Sequence, residues 1–213
     1  MVNLLRDLVA SYGQIYSGWI LWNLFLALIP LLLSIWLYRR RSDARTWGWW
    51  LGFLVYIAFL PNAPYLLTDI IHLIRGIRNE IPALYIILVF LPMHMLAILL
   101  GFEAYVTALI YQGQYLRRQG AKYAVLWSEL LTHAVCAVGI FIGRFRRFNS
   151  WDLVVVPENV LAQTLDDLTT KRPMAAMFVI FVVLAVLYWV MKQITLGLVL
   201  RYRYARAGRT IEI

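Results

Sequence analysis

The 213 residues are 62% hydrophobic and 15% charged, and their mean hydropathy is +0.71. An ordinary soluble domain is about 45–50% apolar and roughly 25% charged. This composition therefore excludes an ordinary soluble domain and indicates a protein that crosses a membrane several times. The net charge of +9 comes largely from arginines grouped beside apolar runs, a pattern that sets membrane orientation and argues against nucleic-acid binding.

What the sequence lacks argues against several kinds of site. Cys136 is the only cysteine, so neither an internal disulfide nor a cysteine-based zinc site can form. The sequence contains no glycine-rich phosphate loop, no His-Glu-x-x-His and no Gly-x-Ser-x-Gly, which argues against a soluble-type hydrolase or nucleotide enzyme. We therefore expect no cofactor. Residues 1–18 lack the pattern of a cleaved signal peptide, so we expect the first apolar span to direct insertion.

Apolar runs of bilayer length predict an all-α transmembrane bundle of about five spans, forming one domain over residues 1–213. A spanning helix needs about 20 apolar residues, because it rises 1.5 Å per residue across a core of about 30 Å. The predicted spans are residues 19–38, 47–67, 83–111, 123–143 and 174–200. Two interfacial helices are predicted at about residues 66–77 and 157–168.

The second span is interrupted by Leu-Pro-Asn-Ala-Pro-Tyr at residues 60–65. Its clean apolar part is about 14 residues long, which is too short to cross a bilayer alone. Either the helix continues beyond the break, or it tilts and ends in a thinned interface. Backbone groups that the prolines leave unpaired must be buried in protein or face water. Asp69 and His72 follow at i and i+3, on one helical face.

The fourth loop contains a second polar segment. Arg144, Arg146 and Arg147 open it, and guanidinium groups suit the phosphate oxygens of a lipid head group or polyprenyl phosphate. The alternative is a plain basic cluster beside the membrane. Further along, leucines at 161, 165 and 168, with aspartates at 166 and 167 opposite, predict an amphipathic helix on the membrane surface.

Five spans place residues 60–78, the first polar stretch, on the same side as residues 143–158, the second polar stretch. Our leading hypothesis is that the two form a surface that binds a small polar or lipid-linked ligand, with anionic or phosphate-bearing membrane lipids as partners. Arg144 would supply charge there. The predicted ligand-binding residues are Asn62, Tyr65, Asp69, His72, Arg144, Asn149, Trp151 and Asp152.

Three alternatives stay open. An interfacial enzyme acting on a lipid or polyprenyl substrate would use Asp69, His72 and Asp152, which are also the candidates for metal ligands. A proton-coupled transporter would use Glu103, Glu129 and His133, the polar residues inside the spans. A membrane assembly partner would need no chemistry.

Each of these residues also has a structural interpretation. Asp69 would pair with Arg144 or Arg75, and the polar residues inside the spans would form a hydrogen-bonded seam between two helices. Lys192 would extend to the interface on the C-terminal side, and His94 would bond a carbonyl that Pro92 leaves unpaired.

The distribution of basic residues predicts the orientation. The first loop, the third loop and the C-terminal tail share one side and contain eleven Lys and Arg, against eight on the other side. The positive-inside rule then places the N-terminus outside and the C-terminus in the cytoplasm. The arginines of the second polar stretch argue against this. We expect a multi-pass protein of the bacterial cytoplasmic (inner) membrane.

The two polar stretches also carry a family resemblance. The sequence resembles a bacterial membrane family known as domain of unknown function 1361, over roughly residues 47–200. This resemblance implies a polytopic membrane protein and brings no activity, substrate or cofactor. The matching segments are Leu60-Pro61-Asn62-Ala63-Pro64-Tyr65, Thr68-Asp69, His72, Gly143-Arg144-Phe145 and Asn149-Ser150-Trp151-Asp152.

Overall fold

The computed structural model of the protein describes residues 19–39, 45–71, 74, 77 and 83–208. Within those ranges the chain is helical apart from short turns and contains no strand. Five helical stretches are long and apolar enough to cross a membrane: Ile20–Tyr38, Trp47–Asp69, Ala83–Arg118, Ala124–Arg146 and Lys171–Arg206. The predicted all-α bundle of about five spans is confirmed.

The first two helices are joined at the end of the bundle opposite the polar stretches. Helix α1 is Trp19–Tyr38 and carries Pro30 inside it. Helix α2 is Trp47–Phe59, and its first turn is capped by Thr46, whose hydroxyl accepts a hydrogen bond from the Trp49 amide. A capping hydroxyl satisfies one of the amides that a helix start leaves without a partner.

The second span continues through its proline break. Leu60 and Pro61 both keep right-handed helical dihedrals, and helix α3, Asn62–Tyr65, leads into a 3₁₀ turn at Leu66–Asp69. The Asn62 side chain donates to the Phe59 carbonyl at 2.9 Å. A side chain inside the bundle thus serves a carbonyl next to the break, as the low-dielectric interior requires. Of the two alternatives for this span, the continuous one is found.

The third span begins with helix α4, Ala83–Tyr85, and a π-helical turn, Ile86–Phe90, before helix α5, Leu91–Arg118. The wide turn ends two residues before Pro92, which has no backbone N–H to donate to the preceding turn. His94 Nδ1 lies 2.8 Å from the Phe90 carbonyl oxygen. That carbonyl lies four residues before His94, so it is not the one that Pro92 leaves without its usual donor.

The fourth span is helix α6, Ala124–Phe141, extended by a π-helical turn, Ile142–Arg146. Arg147 ends it in the left-handed region, at φ 63°. Helices α7, Asp152–Val155, and α8, Pro157–Thr169, form the following connection. Helix α9, Lys171–Arg206, has 36 residues and is therefore about 54 Å long, so it extends well beyond the hydrocarbon core.

The core lies where α1, α5 and the proline break meet, while α9 packs on α6. Small residues allow the close approaches. A Cβ atom on Gly101 would stand 3.2 Å from the Ala63 carbonyl oxygen, and one on Gly139 would stand 2.6 Å from Pro61 Cγ. Packing of this kind is how helices associate in lipid, where burial of apolar surface gives little drive.

Helix α8 presents its leucines outward. Leu161, Leu165 and Leu168 are exposed, whereas Val160 and Asp167 are buried against the bundle. An exposed row of leucines on a helix at the end of a membrane bundle is typical of contact with the bilayer interface. That α8 lies on the membrane surface stays a prediction.

Candidate functional site

The two polar stretches meet. The Asn62 side chain donates a hydrogen bond to the Ser150 hydroxyl at 2.8 Å. At a second point, Gly143 lies against the Tyr65 ring, so that a Cβ atom there would stand 3.2 Å from Tyr65 Cε2. The side-chain amide of Asn62 and the absence of a side chain at Gly143 allow the two polar stretches to pack closely together.

A cavity of about 610 Å³ lies where they meet. Its walls come from α1, the end of α2, the proline break, α6 with its π-helical turn, α7 with the loop before it, and α8. The polar lining residues are Asn23, Asn62, Tyr65, Asp69, Arg144, Asn149, Ser150 and Thr164. The remaining walls are largely aliphatic, with contributions from Leu26, Ile57, Val135, Val138, Ile142, Leu153, Val160 and Leu161. A largely apolar pocket of this size with a few polar groups is the usual form of a small-molecule site.

A charged pair stands at the cavity wall. Arg144 Nη1 lies 4.0 Å from Asp69 Oδ1, a long contact compared with about 2.7–2.9 Å for a charge-assisted hydrogen bond. The other carboxylate oxygen of Asp69 accepts a hydrogen bond of 2.9 Å from the Asn23 side chain. Asp69 is 1% exposed. The expected pairing of Asp69 with Arg144 is therefore present, and Asn23 shares in it.

The three arginines of the second polar stretch have separate surroundings. Arg146 holds Asp167 of α8 through two hydrogen bonds, Nε to Oδ2 at 3.0 Å and Nη2 to Oδ1 at 2.5 Å. Arg147 is exposed at the turn that ends α6. Arg144 is the member of the three that lines the cavity. The basic cluster expected from the sequence is thus divided between an ion pair with α8, an exposed turn and the cavity wall.

Five of the eight predicted ligand-binding residues line the cavity: Asn62, Tyr65, Asp69, Arg144 and Asn149. Trp151 and Asp152 lie outside the lining. The Trp151 ring lies 6.4 Å from the Trp22 ring. The Asp152 carboxylate accepts a hydrogen bond from the backbone N–H of Asn149 at 2.6 Å. Asp152 therefore shapes the turn that carries Asn149. His72 lies outside the described residues.

Sequence reasoning missed three contributors to the cavity, namely Asn23, Ser150 and the inner face of α8. Asn23 is the only amide side chain within the first span, and that isolation was a usable signal, because polar groups inside spans face the bundle interior. Ser150 belongs to a segment that carries the family resemblance, but a serine in a loop does not by itself indicate contact with a cavity. For α8, the periodicity showed the leucine face and gave no sign that the opposite face closes a cavity.

The described part of the chain contains no group of three or more His, Cys, Asp or Glu side chains placed to hold a metal ion. The three-ligand hypothesis of Asp69, His72 and Asp152 also needs His72, which is outside the described residues. It stays a prediction.

A second polar region lies inside the bundle, around Glu129. Its Oε1 accepts hydrogen bonds from the Tyr188 hydroxyl at 2.8 Å and from Lys192 Nζ at 2.5 Å. Both partners belong to α9. The expectation that Lys192 extends to the interface was wrong, because an intramembrane carboxylate on the facing helix lies within its reach.

The other two intramembrane candidates lie in the same region. His133 Nδ1 is 2.6 Å from the Tyr105 hydroxyl, which connects α6 to α5. Glu103 accepts a hydrogen bond from the Thr195 hydroxyl of α9 at 2.8 Å. Together with Glu129 these contacts form a polar seam that connects three helices, α5, α6 and α9, one more than the sequence led us to expect.

The five spans and the composition define a multi-pass membrane protein with a partly polar cavity at one end of its bundle. Residues 22–186 match the family described as protein of unknown function (DUF1361), and the chain belongs to that family. No curated protein and no solved structure matches the chain. The matched range includes both polar stretches and every residue that lines the cavity.

Proposed function

We propose that the protein binds a small polar or lipid-linked ligand in the cavity between the two polar stretches. The observation that carries the proposal is the cavity of about 610 Å³, which combines one arginine and several hydrogen-bonding side chains with aliphatic walls. Such a lining suits a ligand with a polar head and an apolar remainder, because each part would meet groups of its own kind.

The residues have distinct roles in this proposal. Arg144 supplies charge, and its long contact with Asp69 leaves guanidinium donors able to turn toward a ligand. Asn62, Tyr65 and Asn149 set the geometry, since each lines the cavity. Asp152 acts indirectly, because its carboxylate fixes the Asn149 turn.

The enzyme alternative assigns chemistry to Asp69, His72 and Asp152, with Asp69 as the carboxylate that lines the cavity. Asp69 lines the cavity, but one of its carboxylate oxygens accepts a hydrogen bond from Asn23 and the other faces Arg144. These contacts favour a supporting role, since a general base needs a free oxygen for the proton that it takes. Binding is therefore the function that we put forward.

Filling the cavity tests the proposal directly. Ala58 lines it, and Ala58→Phe would occupy part of its volume. We expect native mass spectrometry of the purified protein to show a bound small molecule or lipid on the wild type and its loss, by at least tenfold in occupancy, on the variant. The matched control is Ala175→Phe, at an exposed position on α9. Equal ligand occupancy in all three proteins would contradict the proposal.

The proposal includes a location. We place the protein in the bacterial cytoplasmic membrane with its N-terminus outside and its C-terminus in the cytoplasm, as the excess of basic residues in the first loop, third loop and tail suggests. The cavity then opens toward the outer side of that membrane.

Cysteine labelling tests this orientation, and the native Cys136 is buried, so it gives no background. We expect a membrane-impermeant maleimide added to intact cells to label Gln163→Cys on α8 and not Tyr123→Cys in the third loop. Both positions are exposed in the structure. In inverted membrane vesicles the two results should exchange. Labelling of Tyr123→Cys alone in intact cells would reverse the orientation.

A further inference from the structure

We infer that the ligand is a lipid that carries a phosphate group, with the phosphate against Arg144 and the hydrocarbon chain along the aliphatic wall. This inference rests on the proposed function and narrows it to one chemical class. It also assigns Asp69 a role, as the residue that positions Arg144.

The first argument is charge. Among the described residues that line the cavity, Arg144 is the only Lys or Arg. Arg146 is paired with Asp167, and Arg147 does not line the cavity. A guanidinium presents a rigid planar fork of N–H donors that matches phosphate oxygens in pairs. Asn149 and Ser150, from the loop that follows Arg144, line the same cavity and offer further hydrogen-bonding groups.

The second argument is the order of burial within the charged pair. The Arg144 side chain is 20% exposed and that of Asp69 is 2% exposed. Asp69 is therefore the more buried member of the pair, and Asn23 of α1 holds its second oxygen. In this arrangement the carboxylate attracts the guanidinium from 4.0 Å and so keeps it at the cavity, while the guanidinium N–H donors are the groups that meet the ligand.

The third argument is size. A volume of about 610 Å³ corresponds to about twenty water molecules at about 30 Å³ each, several times what a phosphate ion fills. The excess volume is bounded by aliphatic side chains such as Ile57, Val138 and Ile142, which an ion would leave in contact with water. A hydrocarbon chain would cover them instead.

The fourth argument is a route to the bilayer. Leu161 lines the cavity and is also 61% exposed on the outer face of α8. The apolar wall is thus continuous with the leucine row of that helix. In this proposal a chain attached to a phosphate at Arg144 leaves the cavity past Leu161, along the leucine row of α8.

The test compares three probes on the full-length protein in detergent micelles: phosphatidic acid, diacylglycerol with the same acyl chains, and inorganic phosphate. We expect native mass spectrometry to show phosphatidic acid bound at least tenfold more tightly than diacylglycerol. Millimolar inorganic phosphate should not displace it.

Variants assign the residues. Arg144→Gln should weaken phosphatidic acid at least tenfold and leave diacylglycerol unchanged, whereas Arg147→Gln, the same charge removal three residues away, should change neither. Asp69→Asn should weaken the binding of phosphatidic acid by a smaller factor. Asp69→Glu, which keeps the carboxylate, should weaken that binding less than Asp69→Asn does, which a purely structural role would not predict. If Arg144→Gln fails to fold, Arg144→Lys carries the test, with an intermediate loss because lysine lacks the planar fork.

The outcomes separate the inference from the proposed function. Equal binding of phosphatidic acid and diacylglycerol, or efficient displacement by inorganic phosphate, would overturn the phosphate-lipid inference. The cavity could then still bind another ligand, as the Ala58→Phe experiment would show. Equal ligand occupancy in the Ala58→Phe experiment, together with no binding of any of the three probes, would contradict both the phosphate-lipid inference and the proposed function.

Discussion

Replacing Lys192 by methionine is expected to destabilise the protein by about 3–5 kcal/mol, the usual cost of removing one partner of a buried ion pair. Glu129 would keep its hydrogen bond from Tyr188 and lose the charge that balances it. A lone carboxylate among helices has no water to solvate it. The expected loss is large because Glu129 is 7% exposed, in the second turn of α6.

The measurement is the free energy of unfolding in mixed micelles, obtained by titrating a denaturing detergent. Lys171→Met, the same substitution at an exposed position at the start of α9, serves as control and should change stability little. The double variant Glu129→Gln, Lys192→Met should recover most of the loss, since neither charge is then left unpaired. If the single and double variants lost the same stability, the ion pair would not be the cause.

The general architecture was predictable because the solvent dictates it. A bilayer requires about 20 apolar residues per spanning helix and internal pairing of every backbone group. Length and hydropathy alone therefore predict the five spans. Helices α5 and α9 continue beyond the residues predicted to span, to Arg118 and Arg206, because the backbone stays helical where the sequence becomes polar.

The contacts between helices were less predictable, because hydropathy does not report which faces meet. Lys192 illustrates this. A lysine late in a span usually extends toward the interface, and only the packing of α9 on α6 brings it to Glu129. Asn23 reached Asp69 in the same way, across 46 residues of sequence. Both pairings depend on helix rotation, which no local pattern specifies.

The meeting of the two polar stretches was predictable in part. Counting spans places them on one side of the membrane, and their residue types indicate a polar surface. The division of the three arginines was not predictable, since it depends on the left-handed turn at Arg147 and on the docking of α8 through Asp167. Sequence spacing alone treats the three side chains as equivalent.

Replacing Gly139 by alanine is expected to destabilise the protein by about 1–3 kcal/mol, the usual cost of overpacking. A Cβ atom at this position would stand 2.6 Å and 2.7 Å from Pro61 Cγ and Cβ. The pyrrolidine ring is rigid, so it cannot give way as the end of a flexible side chain would. The contact must therefore be relieved by moving α6 away from the proline break, which also separates the Asn62 and Ser150 side chains.

The same substitution at Gly197 provides a matched control. Gly197 lies within α9, and a Cβ atom there would meet nothing within 4 Å. Alanine favours helix over glycine by about 1 kcal/mol, so Gly197→Ala should leave stability unchanged or raise it. The two variants, compared by unfolding free energy and by ligand occupancy, should differ in both measurements. If Gly139→Ala matched Gly197→Ala in both, close contact between α6 and Pro61 would not be what holds the two polar stretches together.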